Sequence, residues 1–132
     1  MKMLPGGQHR LLVVITLAGT LAVTAPVRSQ EPRVVRISAE RFAFTPSAVI
    51  LEVGEEVELR LKSDDTAHGF RVAGTGINVV IPKRGRSELP VRFRPAAAGR
   101  YPFECTRMCG AGHHFMRGVL IVRERRDQPG RP

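Results

Sequence analysis

Apolar and polar residues alternate along most of the chain beyond residue 30, and this alternation limits the fold to one built from β-strands. Residues 57–62 read VELRLK, so three apolar side chains fall on one face of a strand and three charged ones on the other. The same alternation, or a short apolar run rich in β-branched residues, predicts strands at 34–38, 48–53, 57–62, 69–72, 78–81, 91–94, 100–105 and 119–122. No stretch has the periodicity of a strong amphipathic helix.

Turn-forming residues separate the predicted strands. Glycine, proline or paired aspartates occur at 45–47, 54–55, 64–65, 74–76, 83–85 and 98–99, and such residues end strands and favour tight turns. Seven or eight short strands at this spacing are typical of an all-β Greek-key β-sandwich. We place this single domain at 30–126, followed by a charged tail at 127–132 that contains proline and glycine.

The first 29 residues are typical of a targeting segment. Lys2 and Arg10 precede an apolar stretch at 11–25, which is shorter than the roughly 20 residues that a membrane-spanning helix needs. Val27 and Ser29 suit a signal-peptidase site, so we predict cleavage after Ser29. The alternative is an uncleaved N-terminal anchor. Both readings predict an exported, periplasmic domain, either free or tethered to the outer face of the cytoplasmic membrane.

The chain is basic, with a formal net charge of +9. Loss of Lys2, Arg10 and Arg28 with the leader leaves 18 basic and 12 acidic residues, a net charge of +6. The basic residues are spread over the strands rather than gathered into a run, which argues against nucleic-acid binding. A basic surface can still attract an acidic redox partner by electrostatic steering.

One segment concentrates side chains that bind metals. Residues 105–116 read CTRMCGAGHHFM, in which two thiols, an imidazole and a thioether recur at intervals of four, four and three. Gly110 and Gly112 each disfavour a helix by about 1 kcal/mol and favour a loop that folds back between two strands. The ordinary expectation for an isolated cysteine pair in an exported chain is a disulfide. The histidine and methionine in register with Cys105 and Cys109 favour a metal site instead.

The donor types select the metal. Thiolate, thioether and imidazole together favour copper, whereas zinc has little use for methionine. Another strong ligand must come from a second segment, and His68 is the histidine that the domain offers outside the loop. A single blue-copper ion needs ligands of these types, and the chain provides His68, Cys109, His113 and Met116. Cys105 is then surplus. Because a second thiol allows two sulfurs to bridge two copper ions, the number of coppers depends on Cys105.

These motifs resemble those of a known family. The pattern Cys-x3-Cys-Gly-x2-His-x2-Met at 105–116, with His-Gly-Phe at 68–70 and Gly-Ile-Asn-Val at 76–79, is similar to the dinuclear copper A (CuA) domain of cytochrome c oxidase subunit II. The resemblance covers residues 34–124 and implies a cupredoxin-like fold. It is greatest to the short subunits of bacterial haem–copper oxidases.

The resemblance also implies a role for each metal-binding residue. The ligands that it implies are His68, Cys105, Arg107 (through its backbone carbonyl), Cys109, His113 and Met116. The two thiolates would bridge two copper ions, each imidazole would bind one ion, and the thioether and the carbonyl would bind weakly. The centre would accept one electron from a cytochrome c-like donor and pass it to haem-bearing subunit I. Phe70 and Phe115 would exclude water from the centre.

Two features distinguish this chain from many relatives of that family. Arg107 stands where many have a glutamate that contacts subunit I, and the chain has no tryptophan. The alternative function is therefore that of a free-standing periplasmic cupredoxin, which shuttles electrons or holds copper without an oxidase. Thioredoxin-like copper chaperones also use Cys-x3-Cys, but here glycine rather than proline follows the second cysteine and no helices are predicted.

The remaining polar and sulfur side chains near these motifs have plainer interpretations. We predict that His114 is an exposed loop residue and that Met108 packs within the loop. Asp64 and Asp65 lie at a predicted turn, and Glu104 adjoins a predicted ligand. Because the sequence shows no pairing of a nucleophile with a general base, we do not expect this chain to catalyse a reaction by itself.

Overall fold

The fold is seen in a computed structural model that describes Lys2 and residues 31–126. Its elements are β1 (Arg33–Glu40), β2 (Ala43–Thr45), β3 (Ala48–Glu52), β4 (Val57–Ser63), β5 (His68–Val72), β6 (Asn78–Ile81), β7 (Leu89–Phe93), β8 (Gly99–Glu104), a 3₁₀ turn (His113–Phe115) and β9 (Arg117–Arg123). Apart from Lys2, the predicted leader at 1–29 and the predicted tail at 127–132 lie outside the described residues. Between residues 31 and 126, no helix is long and apolar enough to cross a membrane.

The strands form two mixed sheets that face each other. The first sheet has the order β2-β1-β4-β7 and the second has the order β3-β9-β8-β5-β6. β1 pairs with β4 and β3 pairs with β9 in parallel, and the other neighbours are antiparallel. The predicted all-β sandwich is confirmed. β2 is a strand that alternation did not predict, since three residues are too few to show a period.

Apolar side chains of both sheets fill the space between them. Buried and more exposed positions alternate along β4, as its VELRLK pattern predicts. Phe44 of the first sheet meets Phe70 and Phe103 of the second, with ring centroids 5.6 Å and 5.3 Å away. Burying an aromatic side chain of this size contributes about 1.5–3 kcal/mol, so these rings fix one sheet against the other.

One end of the sandwich, which we call the ligand end, gathers the termini of three neighbouring strands. β5 begins there, β8 ends there and β9 begins there, because β8 is antiparallel to both of its neighbours. The register places Glu104, the last residue of β8, opposite Arg71 and Arg117. The connections β4–β5, β6–β7 and β8–β9 therefore lie at the ligand end.

Candidate metal centre

The side chains that the sequence predicts as metal ligands come from two connections at the ligand end. His68 is the first residue of β5, and Cys105 follows β8 directly. The chain then loops through Cys109 and the 3₁₀ turn at His113, and Met116 immediately precedes β9. The backbone N–H of Cys105 donates to the carbonyl of Met116 at 3.1 Å, so the two ends of the loop are fixed to each other.

The donor atoms form two similar groups around the two cysteine sulfurs. The Sγ atoms of Cys105 and Cys109 lie 3.9 Å apart. Near Cys105 Sγ are His68 Nδ1 at 3.9 Å and the Arg107 carbonyl at 3.2 Å. The remaining two donors, His113 Nδ1 at 3.8 Å and Met116 Sδ at 4.0 Å, lie near Cys109 Sγ. Each sulfur thus has one imidazole and one weak donor of its own.

Most of the donors are shielded from water. His68 and Met116 have no exposed surface, and Cys105 and Cys109 are 5% and 6% exposed. His113 is half-buried, so its ring links the buried sulfurs to the surface. The separation of the two sulfurs is well beyond the roughly 2.05 Å of a disulfide bond, and both thiols are free.

Asp65 fixes the orientation of the His68 ring. The Nε2 atom of His68 lies 2.7 Å from the Asp65 carboxylate, so that this nitrogen donates and Nδ1 presents its lone pair toward the thiols. Burial raises the pKa of Asp65, but hydrogen bonds from His68 and from the backbone N–H groups of Arg41 and Thr66 outweigh it and lower the pKa to about 2. Asp65 therefore stays ionised at any ordinary pH.

This carboxylate predicts how the stability of the metal-free protein depends on pH. The folded-state pKa of Asp65 lies below the ordinary value of 3.8, so its ionised form stabilises the fold above about pH 4 and this stabilisation is lost as the pH falls toward 2. Urea unfolding of the wild type and of Asp65→Asn between pH 6 and 2 measures the effect. We expect the variant to lose less stability than the wild type below pH 4. Parallel curves would contradict the assignment.

The turn between β1 and β2 holds the ligand loop from outside. Arg41 donates from Nε to the carbonyl of Cys109 at 2.7 Å and from its backbone N–H to Asp65 at 3.0 Å. The ring of Phe42 lies against the loop backbone at Gly112, where a Cβ atom would be 2.5 Å from Phe42 Cγ. One turn of the first sheet thus contacts both of the segments that carry the ligands.

Gly69 of β5 lets the backbone of the ligand loop approach the strand closely. A Cβ atom at this position would lie 2.6 Å from the backbone nitrogen of Thr106 and 2.7 Å from that of Arg107. Real Cβ atoms do not approach backbone this closely, so the absence of a side chain beside His68 lets the ligand loop pack directly on β5.

The structure brings together all six of the predicted ligand positions, and it corrects two neighbouring expectations. Phe115 is 83% exposed and Met108 is 71% exposed, so the predictions that Phe115 excludes water and that Met108 packs within the loop are wrong. Phe70 is fully buried beside His68, and His114 is exposed as predicted.

Three residues that contact the centre were not predicted. Asp65 was assigned to a turn, although an aspartate three residues before a candidate histidine ligand could have indicated the contact. Arg41 and Phe42 offer no such signal, because they lie 68 or more residues from the glycine-rich part of the loop that they contact.

The donor set fits a soft metal ion. Two free thiols, two imidazole nitrogens and a thioether converge beneath one loop, and one ring nitrogen of His68 and both sulfurs lie within 4.8 Å of one another. Such donors suit copper better than calcium, magnesium or manganese, which prefer oxygen. The metal-free Cys109 thiol resists ionisation, because burial, aided by the neighbouring Cys105, raises its pKa to about 11.

Comparison with known proteins agrees with this geometry. A family model described as a cupredoxin-like domain matches residues 11–122. The cytochrome c oxidase subunit 2 of Thermus thermophilus is 35% identical over 91 residues, which cover 68% of this chain and 65% of that protein. This chain therefore spans just under two thirds of the length of that relative.

Solved structures agree in fold. The periplasmic domain of subunit II of cytochrome oxidase (CoxB) of Bradyrhizobium japonicum superposes with a TM-score of 0.63 at 16% identity, over 70% of this chain and 84% of that one. A chain of a haem–copper terminal oxidase dimer superposes with a TM-score of 0.62 at 23% identity, over 83% and 76%. Because the family model matches more than half of this chain, the chain belongs to the family of cupredoxin-like domains. Within that family it is similar to cytochrome c oxidase subunit 2.

Proposed function

We propose that this chain is an electron-transfer domain whose residues, Cys105 and Cys109 among them, would hold two copper ions, as the CuA domain of an oxidase subunit II does. The observation that carries the proposal is the arrangement of donors in two groups, one around each buried sulfur. The residues that would hold the metal are His68, Cys105, Arg107 (through its carbonyl), Cys109, His113 and Met116. A site for one copper ion would need only one thiol, one thioether and two imidazoles.

The chain's own residues suit electron transfer. When bound there, copper would supply one-electron redox chemistry, which requires no bond to be made or broken in the protein. Arg41, Phe42 and Gly69 hold the ligand loop between two strands, so its donors move little when the charge of the centre changes. Burial of His68 and Met116 excludes water, and half-buried His113 extends toward solvent, where a partner can approach.

The proposed electron route runs from a cytochrome c-like donor, through this domain, to the haem-bearing subunit I of an oxidase on the periplasmic side of the membrane. The 35% identity to an oxidase subunit 2 and the fold of a periplasmic CoxB domain support this route. Affinity purification of the tagged chain from its native membranes tests it. Recovery of a haem-containing subunit is the expected result. Recovery of a lone soluble copper protein would favour the free-standing cupredoxin.

The two-copper centre itself is tested on the full chain, folded first and then loaded with copper. We expect two copper ions per chain, a purple colour, and an electron-spin-resonance spectrum in which one unpaired electron couples equally to two copper nuclei. Copper analysis and spectroscopy on the same sample give the answer. One copper per chain with a blue single-ion spectrum would overturn the dinuclear assignment and leave a simpler cupredoxin.

Copper uptake is also expected to release protons. The pKa of about 11 at Cys109 means that this thiol is protonated throughout the neutral range, so binding must displace its proton. The apparent copper affinity should therefore rise about tenfold or more per pH unit between pH 6 and 8. Competition titrations against a chelator of known affinity measure this dependence. An affinity that does not change with pH would show that the Cys109 thiolate is not a ligand.

A further inference from the structure

We propose that the ligand end docks an acidic electron-transfer protein, with Met108 and Phe115 at the centre of the contact and cationic side chains around them. This inference rests on the proposed function, because it names the class of partner that would meet the same centre. Three observations support it: two exposed apolar side chains, an excess of unpaired cations, and a cleft beside the donor atoms.

The centre of the proposed contact is apolar. Among the described residues, Met108 and Phe115 are the most exposed of the large hydrophobic side chains, at 71% and 83%. Both belong to the loop that carries Cys109 and His113, and Phe115 ends the 3₁₀ turn that begins at His113. Methionine and aromatic residues are enriched in protein–protein interfaces. A partner seated on these two side chains therefore approaches the half-buried imidazole directly.

Five cations at this end form no ion pair with any other residue that the structure describes. They are Lys83, Arg84, Arg86, Arg107 and Arg117. The backbone N–H of Arg84 donates to the carbonyl of Asp65 at 3.0 Å, which places the β6–β7 connection beside the connection that leads to His68. Arg107 lies inside the ligand loop, and Arg117 follows it directly.

The acidic residues at the same end are mostly neutralised. Their cationic partners form the pairs Asp64–Lys62, Asp65–Arg41, Glu88–Arg36 and Glu104–Arg71. Glu40, at the end of β1, forms no such pair within residues 31–126 and is exposed. Among the described residues, the ligand end therefore has five unpaired cations and one unpaired acid. The resulting field attracts an acidic surface and repels a basic one, with its largest effect on the rate of association.

A cleft beside the centre has room for an acidic side chain. Its volume is about 250 Å³, and its lining includes Arg117, His114, the donors Cys105 and Met116, and the ion pair of Glu104 with Arg71. An aspartate or glutamate of a docked protein could enter this cleft and pair with Arg117 while apolar residues cover Phe115. The cleft thus lies between the unpaired cation Arg117 and the buried donor atoms.

The test uses the copper-loaded full chain and two soluble c-type cytochromes, one with an acidic surface and one with a basic surface. Amide chemical-shift titration reports where each cytochrome binds, and stopped-flow mixing reports the rate of electron transfer at several ionic strengths. We expect the acidic cytochrome to shift the amides of Met108, Phe115 and Arg117, to react faster than the basic one, and to slow as salt is added.

A matched pair of variants separates local from overall charge. Arg117 and Arg123 are the two exposed ends of β9, about 20 Å apart at roughly 3.3 Å per residue, and neither forms an ion pair with a described residue. Arg117→Gln should lower the association rate with the acidic cytochrome by about two- to fourfold, and Arg123→Gln should change it much less.

The outcomes distinguish this inference from the function on which it rests. Specific amide shifts without electron transfer would support the docking surface and contradict the redox function. Electron transfer without preference for the acidic cytochrome, or equal effects of the two variants, would overturn the docking proposal alone. Shifts at the ligand end with phosphatidylglycerol vesicles but not with the acidic cytochrome would also overturn it, in favour of an anionic lipid surface.

Discussion

Replacing Cys105 by serine is expected to reduce the copper content from two ions to at most one per chain and to abolish the purple, two-copper spectrum. The hydroxyl of serine is a hard, weakly acidic donor that does not replace a bridging thiolate. The variant keeps Cys109 with His113 and Met116 nearby, so any remaining ion should resemble a single copper site. Copper analysis and electron-spin resonance measure both changes.

Ala111→Ser is the matched control for this variant. Ala111 is exposed in the same loop and has no role in the proposed centre, so the substitution introduces a serine while leaving the donors untouched. The control should bind two coppers with the wild-type spectrum. Two coppers with an unchanged spectrum in Cys105→Ser would show that Cys105 is not a bridging ligand and would overturn the proposed centre.

Gly69→Ala is expected to destabilise the metal-free protein by about 3 kcal/mol or more, because a methyl group must enter a space that backbone atoms occupy. The nearest of these belong to Thr106 and Arg107, with nitrogens 2.6 Å and 2.7 Å from the position of the new carbon. The ligand loop must move away from β5, and copper uptake should fall with it. Urea unfolding and copper titration of the variant measure the two effects.

Gly74→Ala separates crowding from backbone strain. Gly74 has a φ of +75°, and no atom of residues 31–126 beyond its chain neighbours lies within 4 Å of the position that the methyl carbon of alanine would take. Alanine there therefore costs only the left-handed backbone conformation, about 1–2 kcal/mol. We expect the copper affinity of Gly74→Ala to equal that of the wild type. If both variants lost stability and copper equally, contact between β5 and the ligand loop would not explain the result.

The sheet could be predicted from the sequence where strands are long and one face is buried. Residues 57–62 alternate because every second side chain of β4 enters the core, and this period is visible without a structure. β2 could not be predicted in this way, since its three residues contain one buried side chain, Phe44. Which strands pair, including the parallel pairs, depends on contacts between distant segments that no local pattern records.

The predicted ligands could be found from the sequence because soft donors are rare and five of the six positions lie within one loop. His68 was found because few histidines were available. The residues that hold these donors could not be found, since Arg41 and Asp65 are common surface types whose role comes from a hydrogen bond across the fold. Phe115 and Met108 were misjudged because an apolar residue near a buried site was expected to cover it, whereas both face outward.

The parallel pairing of β3 with β9 has a consequence for the order in which the protein folds and acquires metal. Ala48 lies opposite Val119, 71 residues further along the chain, and pairings over such distances make folding slow. Until β9 docks, Cys105 and Cys109 are near each other in the chain, while His68 is 37 residues from Cys105. Copper offered to the unfolded chain would meet the donors of residues 105–116 without His68. We therefore expect correct loading to require folding first and metal second, so that the yield of the centre depends on the order of addition.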